Sequence, residues 1–304
     1  MTTPLAAVVL AHGDPAQLHR LVAALEDVPV VLHVDAATPP AVHRRLVEGL
    51  PDRVVLADRL RTTRASWSLV DVELAALERV LALCDAEHVA VLSGADLPAL
   101  PLATVLDDLR AWQGRSALLS LPMPYAPWST PRMRDGGLWR LKHRFLTVRG
   151  QAVYLRDLPL FWPVPRAIPA ELVPRASSEW KVYARQDVVR LLRVTRDRPD
   201  LIRFWRSTLV PDESFAASML ASPRLFGADA MPVNEIHPWV IRWAGDAAGH
   251  ARWLTDDDLP DLRANAAAAP PTPGHDPALP YRRWFARKFS DAHSAGLLAT
   301  LARG

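Results

Sequence analysis

Two apolar runs near the start of the chain decide the fold, Leu5-Ala-Ala-Val-Val-Leu-Ala11 and Val30-Val-Leu-His-Val-Asp35. Each run is too short for a buried helix and ends at polar or turn-forming residues, so we predict buried strands over 6–11 and 30–34. Between them, Asp14-Pro15 marks a helix start, because aspartate caps a helix N-terminus and proline fits its first turn. Strand, helix and strand in this order are typical of a parallel sheet covered by helices.

The same alternation continues to about residue 120, after which the pattern becomes irregular. Apolar periodicity predicts further helices and strands, the helices over 40–50, 68–83 and 102–109 and the strands over 53–56, 88–92 and 117–121. For the second part we predict an ordered loop region over 122–145, a strand and helix over 178–194, a helix over 211–220, a surface linker over 264–280 and a helix after Phe289. The predicted fold class is α/β, a Rossmann-type, mostly parallel sheet flanked by helices, with a less regular C-terminal half.

The polar residues that follow the predicted strands are the first candidates for a site. Ligands of open parallel sheets bind at the carboxyl ends of the strands. His12, Asp35, Arg64 and Asp96 stand at or just after these ends.

Composition limits the function classes without choosing one. The 304 residues suffice for one large domain, and half of them are hydrophobic. The 36 basic residues face 33 acidic ones and no recognition motif is present, which argues against a nucleic-acid partner. One cysteine, no signal-peptide pattern and no apolar run of about 18 residues predict a soluble cytoplasmic protein without a transmembrane segment. Abundant Ala, Arg, Leu and Pro suggest a bacterial source.

Several common cofactor and metal motifs are absent from the sequence. His12-Gly13-Asp14 stands where a dinucleotide-binding glycine fingerprint would follow the first strand, and there is no P-loop or zinc spacing. Nucleotide-sugar transferases usually hold a metal through Asp-x-Asp after a central strand, and Ser93-Gly-Ala-Asp96 offers a single aspartate. Cationic side chains would then have to stabilise a diphosphate leaving group. The run from Arg282 to Phe289 supplies them, unless it is only a solvated basic face.

Two acidic segments each allow two interpretations. Glu213 of Pro211-Asp212-Glu213 either caps a helix or serves as a general base that is ionised at neutral pH. Asp256-Asp257-Asp258 either caps a helix or faces solvent.

Nine short motifs occur in one order between residues 10 and 289. They are Leu10-Ala-His12, His33-Val-Asp35, Arg64-Ala-Ser-Trp-Ser68, Ser93-Gly-Ala-Asp-Leu-Pro98, Arg140-Leu-Lys-His-Arg-Phe145, Ser177-Ser-Glu-Trp180, Pro211-Asp-Glu213, His250-Ala-Arg252 and Phe285-Ala-Arg-Lys-Phe289. In this order they resemble glycosyltransferase family 14, the core-2/I-branching N-acetylglucosaminyltransferases and peptide O-xylosyltransferases. The resemblance covers nearly the whole chain.

The resemblance implies a GT-A-like fold in one domain, with a nucleotide-sugar-binding half over 1–125 and an acceptor-binding, catalytic half over 126–304. It implies an inverting transfer with Glu213 as base and no required metal or other cofactor. The expected donor-binding residues are Leu10, His12, Asp35, Arg64, Ser178, Arg252, Arg287 and Lys288. The expected acceptor-binding residues are Arg140, Lys142, Arg144 and Trp180. Arg64 stands where the family has a tyrosine, a departure that bears on the contacts to the base.

Substrates remain open at this level. The Ala65-Ser-Trp-Ser68 motif favours UDP-N-acetylglucosamine as donor, and Phe285-Ala-Arg-Lys-Phe289 favours UDP-xylose. The expected acceptor is a carbohydrate or a glycosylated small molecule. The alternative is a protein that binds nucleotide sugars without transferring them.

Overall fold

The computed structural model describes residues 3–148, 151–156, 158–245 and 251–302, without the side chain of Gln151. The strands are β1 (Leu5–Ala11), β2 (Val30–Val34), β3 (Val54–Leu56), β4 (His88–Ser93), β5 (Asp96–Pro98), β6 (Leu121–Pro122), β7 (Thr147–Val148), β8 (Gln151–Ala152), β9 (Tyr154–Leu155), β10 (Leu158–Pro159), β11 (Arg175–Ala176), β12 (Lys181–Ala184), β13 (Trp239–Ile241) and β14 (Phe285–Arg287). The helices are α1 (Pro15–Ala24), α2 (Pro40–Val47), α3 (Trp67–Leu83), α4 (Leu102–Leu109), α5 (Trp139–Lys142), α6 (Arg185–Asp197), α7 (Pro199–Trp205), α8 (Phe215–Leu220), α9 (Pro223–Phe226), α10 (Leu259–Ala267) and α11 (Ala295–Leu301).

The main sheet has five strands in the order β12-β4-β1-β2-β3. The four strands from the first part of the chain are mutually parallel, and β12 pairs antiparallel with β4 at the edge. The prediction of a mostly parallel sheet is confirmed. Since β12 comes from the second half of the chain, both predicted halves contribute to one sheet.

Both faces of this sheet are covered. Alternate residues of β1 enter different cores, Leu5, Ala7 and Val9 in one and Ala6 and Val8 in the other. Helices α1 and α4 contribute to the first core, and α3 and α6 to the second. Strands buried on both faces read as continuous apolar runs, which is why the sequence revealed them.

Predicted helix starts are confirmed where a capping side chain exists. The Asp14 carboxylate accepts a hydrogen bond from the amide of Gln17, 3.1 Å away, at the start of α1. Ser66 caps α3 in the same way, with its Oγ 3.3 Å from the amide of Ser68. These caps set the angles at which the chain leaves the carboxyl ends of the strands.

A second sheet of three strands, in the order β13-β14-β5, stands beside the end of β4. Strand β14 pairs parallel with β13 and antiparallel with β5, and its register sets Arg287 opposite Asp96. This small sheet brings the C-terminal Phe285–Phe289 motif to the carboxyl ends of the main strands.

Three local predictions are wrong. The strand expected over 117–121 is reduced to isolated bridges at Ala117 and Ser120 and the two residues of β6, because β12 takes the edge beside β4. The linker expected over 264–280 begins later, since the alanines up to Ala267 continue α10. The helix expected over 211–220 is split into a 3-10 turn, Pro211–Glu213, followed by α8.

Candidate active site

The strand ends hold Leu10, His12 and Asp35 as expected. Leu10 is half-buried near the end of β1, and His12 is exposed one residue beyond it. The backbone carbonyl of His12 accepts a hydrogen bond from the Thr38 hydroxyl, 3.2 Å away. The imidazole of His12 is exposed at the carboxyl end of β1.

Asp35 is buried and anchors the loop after β3. Its Oδ1 accepts from the amide of Ala37 at 2.6 Å, and its Oδ2 accepts from the Thr62 amide at 2.8 Å and from the Thr62 hydroxyl. Burial opposes ionisation, but the hydrogen bonds from Thr62 and Ala37 outweigh it and hold the pKa of Asp35 below its ordinary value. The carboxylate is therefore a fixed negative charge at the end of β2.

Two further side chains hold the same loop, and the sequence did not single them out for this task. The Arg59 guanidinium donates to the carbonyls of Asp35 and Thr38, each 3.0 Å away. The Nε2 atom of His33 lies 3.1 Å from both the amide nitrogen and the carbonyl oxygen of Leu60, and burial lowers the pKa of His33. His33 is structural, as a histidine in the middle of a buried strand face usually is.

Arg287 and Asp96 form an ion pair at the carboxyl end of β4. Asp96 is fully buried, and its Oδ1 lies 2.9 Å from an Arg287 nitrogen. The same nitrogen donates to the Ser93 hydroxyl at 3.0 Å, and the guanidinium stacks 3.9 Å from the centre of the Trp180 ring. Burial raises the pKa of Asp96, while Arg287 and Ser93 favour its charged form. Trp180 is buried beneath this pair, so its contact is with Arg287.

Arg252 and Lys288 lie on adjacent segments, because the Leu254 amide donates to the Lys288 carbonyl at 2.8 Å. Arg252 forms a two-pronged ion pair with the buried carboxylate of Asp258, at 2.8 and 2.6 Å. Asp258 also accepts from the amide of Thr255 in a capping box, which confirms the helix-capping interpretation of that acidic run. The histidine of the His250-Ala-Arg252 motif lies outside the described residues.

Lys288 differs from the neighbouring cations because it is not paired with an acid. Its ammonium lies 4.2 Å from the centre of the Trp253 ring, and the described ranges contain no carboxylate partner for it. Burial, followed by repulsion from Arg287 and Arg64, lowers the pKa of Lys288. Arg64 thus lies close enough to Lys288 to act on it. A bound anion would relieve this repulsion.

Glu213 lines a cleft of about 380 Å³ between the small sheet and the loops after β6 and β11. Ser178 lines the same cleft, together with aromatic and basic side chains. These other side chains include Tyr125, Trp128, His237, Trp239, Arg242, Trp243 and Arg283. A volume of this size is at the lower end of the range for small-molecule sites.

Backbone hydrogen bonds to two other segments, at Ala65 and Ser177, fix the turn that contains Glu213. Val210 has a left-handed conformation (φ 51°), and its amide donates to the Ala65 carbonyl at 3.0 Å. The Glu213 carbonyl accepts from the amide of Ser177 at 2.8 Å. Glu213 lies in the first turn of its short 3-10 helix, and no backbone amide among the described residues donates to its carboxylate.

The Glu213 carboxylate instead pairs with Arg140. An Arg140 nitrogen lies 3.0 Å from Oε2, and its guanidinium stacks 4.2 Å from the centre of the Trp128 ring. Lys142 faces Asp135 at 3.9 Å, and Arg144 is exposed on a neighbouring hairpin. Arg140 thus contacts two residues that line the cleft, Glu213 and Trp128, and the Trp180 amide donates to the hydroxyl of a third, Ser178, at 3.2 Å. The acceptor-binding role of all four residues stays a prediction.

Two acids near Glu213, the half-buried Glu179 and the buried Asp212, were not singled out by the sequence. Burial, opposed by Arg287 and Lys181 and supported by Glu213, raises the pKa of Glu179 to about 7. Burial and then the charges of Glu179 and Glu213 raise the pKa of Asp212 well above its ordinary value. One of the Asp212 carboxylate oxygens is buried without a hydrogen-bond partner. The signal was present in Ser177-Ser-Glu-Trp180 and Pro211-Asp-Glu213, where acids adjoin apolar residues.

A buried ion pair lies under this acidic group. The Lys181 ammonium is 2.7 Å from Oε2 of Glu73, and the Tyr183 hydroxyl donates to Oε1 of Glu73 at 2.5 Å. Lys181 and Glu73 are almost completely buried. The pair ties α3 to β12, and the Lys181 charge favours the ionised forms of Glu179 and Asp212.

His237 gives the cleft a neutral acceptor of hydrogen bonds. Its Nδ1 lies 3.3 Å from the Trp239 carbonyl oxygen, which can only accept, so Nδ1 carries the proton. Burial, followed by the charges of Arg283 and Arg287, lowers the pKa of His237 to about 4. At neutral pH its Nε2 lone pair is therefore free of a proton.

Within the described ranges, no group of three or more His, Cys, Asp or Glu residues has an arrangement that could hold a metal ion. None of the helices in those ranges combines the length and apolar character that a bilayer crossing requires.

Comparison with known proteins bears on this arrangement. A sequence profile described as Branch: Core-2/I-Branching enzyme matches residues 6–260. The chain belongs to the Core-2/I-Branching enzyme family. This is a family of glycosyltransferases, so the protein is an enzyme that takes a sugar from a donor and attaches it to an acceptor. No curated protein matches the chain.

Solved structures resemble this family member distantly. A putative glucose-1-phosphate thymidylyltransferase from Bacillus anthracis, in complex with a sucrose, aligns with a TM-score of 0.36 and 9% identity over 86% of this chain and 95% of its own. A 2-C-methyl-D-erythritol 4-phosphate cytidylyltransferase from Thermus thermophilus aligns with a TM-score of 0.32 and 15% identity over 88% of this chain and 100% of its own.

Proposed function

We propose that the protein transfers a sugar from a UDP-sugar to an acceptor hydroxyl, with inversion at the anomeric carbon and without a metal ion. The Glu213 carboxylate on the wall of the cleft carries this proposal. N-acetylglucosamine and xylose are the proposed sugars, and a carbohydrate or glycosylated small molecule is the proposed acceptor. A cytoplasmic location is part of the proposal and is supported by the single cysteine, which excludes an intrachain disulfide.

Glu213 acts in this proposal as the general base. The acceptor hydroxyl attacks the anomeric carbon, its proton passes to Glu213, and the bond from that carbon to the diphosphate oxygen breaks on the opposite side. Arg140 supports this role because it holds Oε2 at 3.0 Å and so limits the rotamers of the carboxylate. Oε1 has no hydrogen bond to any described residue, so it can accept the proton.

Lys288 and Arg252 stabilise the leaving diphosphate in this proposal. Lys288 supports it best, because its ammonium faces Trp253 rather than an acid. Arg252 keeps Asp258 as partner, and an arginine with five donors can bind a phosphate oxygen at the same time. The Asp96–Arg287 pair supports metal independence, because the aspartate that would bind a metal already has a cation.

The nucleoside is proposed to bind over Leu10, His12, Asp35 and Arg64. Oδ1 of Asp35 accepts one hydrogen bond from the protein, and a carboxylate oxygen can accept two. Asp35 can therefore hold its loop and accept a ribose hydroxyl. Ser178 lines the cleft beside Glu213, where the donor sugar would lie.

The test is a transfer assay with a panel of UDP-sugars and sugar acceptors in EDTA, read by mass spectrometry, with the anomeric configuration of the product read by NMR. We expect an inverted product and a loss of about 10³-fold in kcat for Glu213→Gln. Glu78→Gln, which changes an exposed glutamate on α3, is the matched control and should keep the wild-type rate.

Two results would contradict the proposal. Retention of most of the rate by Glu213→Gln would remove Glu213 as base. Tight binding of a UDP-sugar with no consumption, with any acceptor or with water, would favour a nucleotide-sugar-binding protein.

A further inference from the structure

Residues 146–164 expose an unusual share of the large apolar side chains of the protein. Nearly half of all the exposed large hydrophobic residues in the described ranges fall within this short stretch. We call these residues the hairpin patch, and they are Leu146, Val148, Tyr154, Leu155, Leu158, Trp162 and Val164. Leu155 and Trp162 are 62% and 61% exposed. Apolar residues clustered in this way mark an interaction surface more often than isolated ones do.

The antiparallel pairing of the segments around Phe145 and Phe161 explains why the patch is exposed to solvent. Phe145 and Phe161 are antiparallel bridge partners whose rings lie 5.4 Å apart, and they pack on a small core with Leu209. Neighbouring residues of a strand point to opposite faces, so Leu146 and Trp162 point away from this core. Nothing in the described ranges covers that outer face.

Basic side chains accompany the patch. Trp162 donates its backbone N–H to the Arg144 carbonyl at 2.8 Å, so Arg144 is the cross-strand neighbour of Trp162 on the outer face. Arg156 is exposed between Leu155 and Leu158. Neither arginine has a carboxylate partner among the described residues. From Arg144 to Val164 the sequence has three arginines and a single acidic residue.

This mixture of side chains fits the interface of an anionic lipid bilayer. Aliphatic groups enter the outer acyl region, tryptophan and tyrosine rings suit the headgroup level, and arginines pair with lipid phosphates. A second copy of this chain fits poorly, because a two-fold interface would bring Arg144 and Arg156 of both copies into one contact region, where their like charges repel. Nucleic acid would match the arginines but leave the aliphatic side chains without a partner.

We propose that the hairpin patch docks the protein on anionic lipid surfaces. The inner face of the hairpin packs on Leu209 and Val210, which lead directly into the Glu213 turn. Docking would therefore hold the cleft of Glu213 close to the bilayer surface. The inference concerns location and does not depend on the identity of donor or acceptor.

The test is co-sedimentation of the full chain with vesicles of phosphatidylcholine alone and with 30% phosphatidylglycerol, at low and high salt. We expect binding to the anionic vesicles that weakens with salt. Arg144→Gln with Arg156→Gln should lower the partition coefficient about 25-fold, at about fivefold per arginine. Leu155→Ser with Trp162→Ser should lower it about tenfold or more.

The control is Val189→Ser with Leu279→Ser, which removes two exposed apolar side chains elsewhere and should bind as wild type. Circular dichroism and urea unfolding check that each variant is folded. Absence of wild-type binding to anionic vesicles would overturn the proposal. A wild-type dimer that Leu155→Ser with Trp162→Ser converts to monomer would also overturn it, because a second copy would then cover the patch.

Discussion

At the end of β2, Asp35 is buried and both of its carboxylate oxygens accept hydrogen bonds from the protein. On the wall of the cleft, Glu213 is 35% exposed and only one of its oxygens has a described partner, Arg140. Both oxygens of Asp35 hold the loop and Oδ1 can still accept one further hydrogen bond, whereas Oε1 of Glu213 has no described partner and keeps its full accepting capacity. The difference separates residues that shape this site from residues that can react in it.

The cations of the site divide in the same way. Arg287 and Arg252 each neutralise a buried aspartate, whereas Lys288 faces an aromatic ring. Beneath the cleft, Lys181 belongs to the first kind, because Glu73 holds it. Substitutions of the paired cations should therefore affect stability, and substitution of Lys288 should affect ligand binding.

Replacing Lys181 by methionine should destabilise the fold strongly, because it leaves the Glu73 carboxylate buried without its charged partner. We expect a loss of about 3–5 kcal/mol in the free energy of unfolding, measured with urea. Lys142→Met is the matched control, since that ammonium is half-exposed and 3.9 Å from its acid, and it should change stability by less than about 0.5 kcal/mol. Equal losses of unfolding free energy in Lys181→Met and Lys142→Met would contradict the distinction between the buried ion pair and the half-exposed one.

Asp35→Asn should lower the free energy of unfolding more than Glu213→Gln does. The asparagine side chain has one accepting oxygen, so it cannot accept from both Ala37 and Thr62, and we expect a loss of about 2 kcal/mol in unfolding free energy. Glu213→Gln should cost less than about 0.5 kcal/mol, because its ion pair is partly solvated. Urea unfolding of both variants gives the answer, and a larger cost for Glu213→Gln would assign Glu213 a structural role.

Glu179 should make the fold less stable as the pH rises. Its pKa of about 7 lies above that of an unfolded glutamate, so its contribution is fully present below about pH 4.5 and is lost as the pH rises through 7. We expect the free energy of unfolding of Glu179→Gln, relative to wild type, to rise by about 2 kcal/mol between pH 5 and pH 8. Taking this difference cancels the contribution of His237, which has the opposite sign.

Urea unfolding at four pH values measures this difference. Glu78→Gln, at an exposed site, should show no such slope. A flat difference curve for Glu179→Gln would mean that Glu179 is charged in the folded protein throughout the range.

Lys288→Ala should weaken UDP binding about tenfold, because a phosphate loses a cation that no acid in the described ranges neutralises. Unfolding should be almost unaffected. Lys142→Ala, a lysine outside the cleft, is the control and should bind UDP as wild type does. Calorimetry measures the UDP affinity of both variants. An unchanged affinity of Lys288→Ala would mean that the diphosphate does not bind at Lys288.

The fold was more predictable in the first half of the chain than in the second. Strands β1, β2 and β4 are buried on both faces, so their apolar runs are visible in the sequence. Strands β6 and β11 have two residues each and pair with each other across a long stretch of chain, so the sequence has no apolar periodicity that predicts them. The edge strand β12 was expected as a strand, but its antiparallel place beside β4 depends on tertiary packing.

The same contrast holds for the site. Residues next to a strand end or inside a motif, such as Asp35 and Glu213, could be identified from the sequence. Their partners could not, because Thr62 lies 27 residues from Asp35 and Arg140 lies 73 residues from Glu213. The sequence also could not show that Arg287 and Arg252 are paired with acids while Lys288 is not.

The central claim is that cationic side chains, with Lys288 foremost, hold the diphosphate in place of a metal. The most direct test is calorimetric titration of the wild-type protein with UDP, once in EDTA and once with Mn²⁺, with GDP and dTDP as comparisons. The account predicts UDP binding of the same affinity in both buffers and weaker binding of the other two nucleotides. Binding of UDP only in the presence of Mn²⁺ would contradict it.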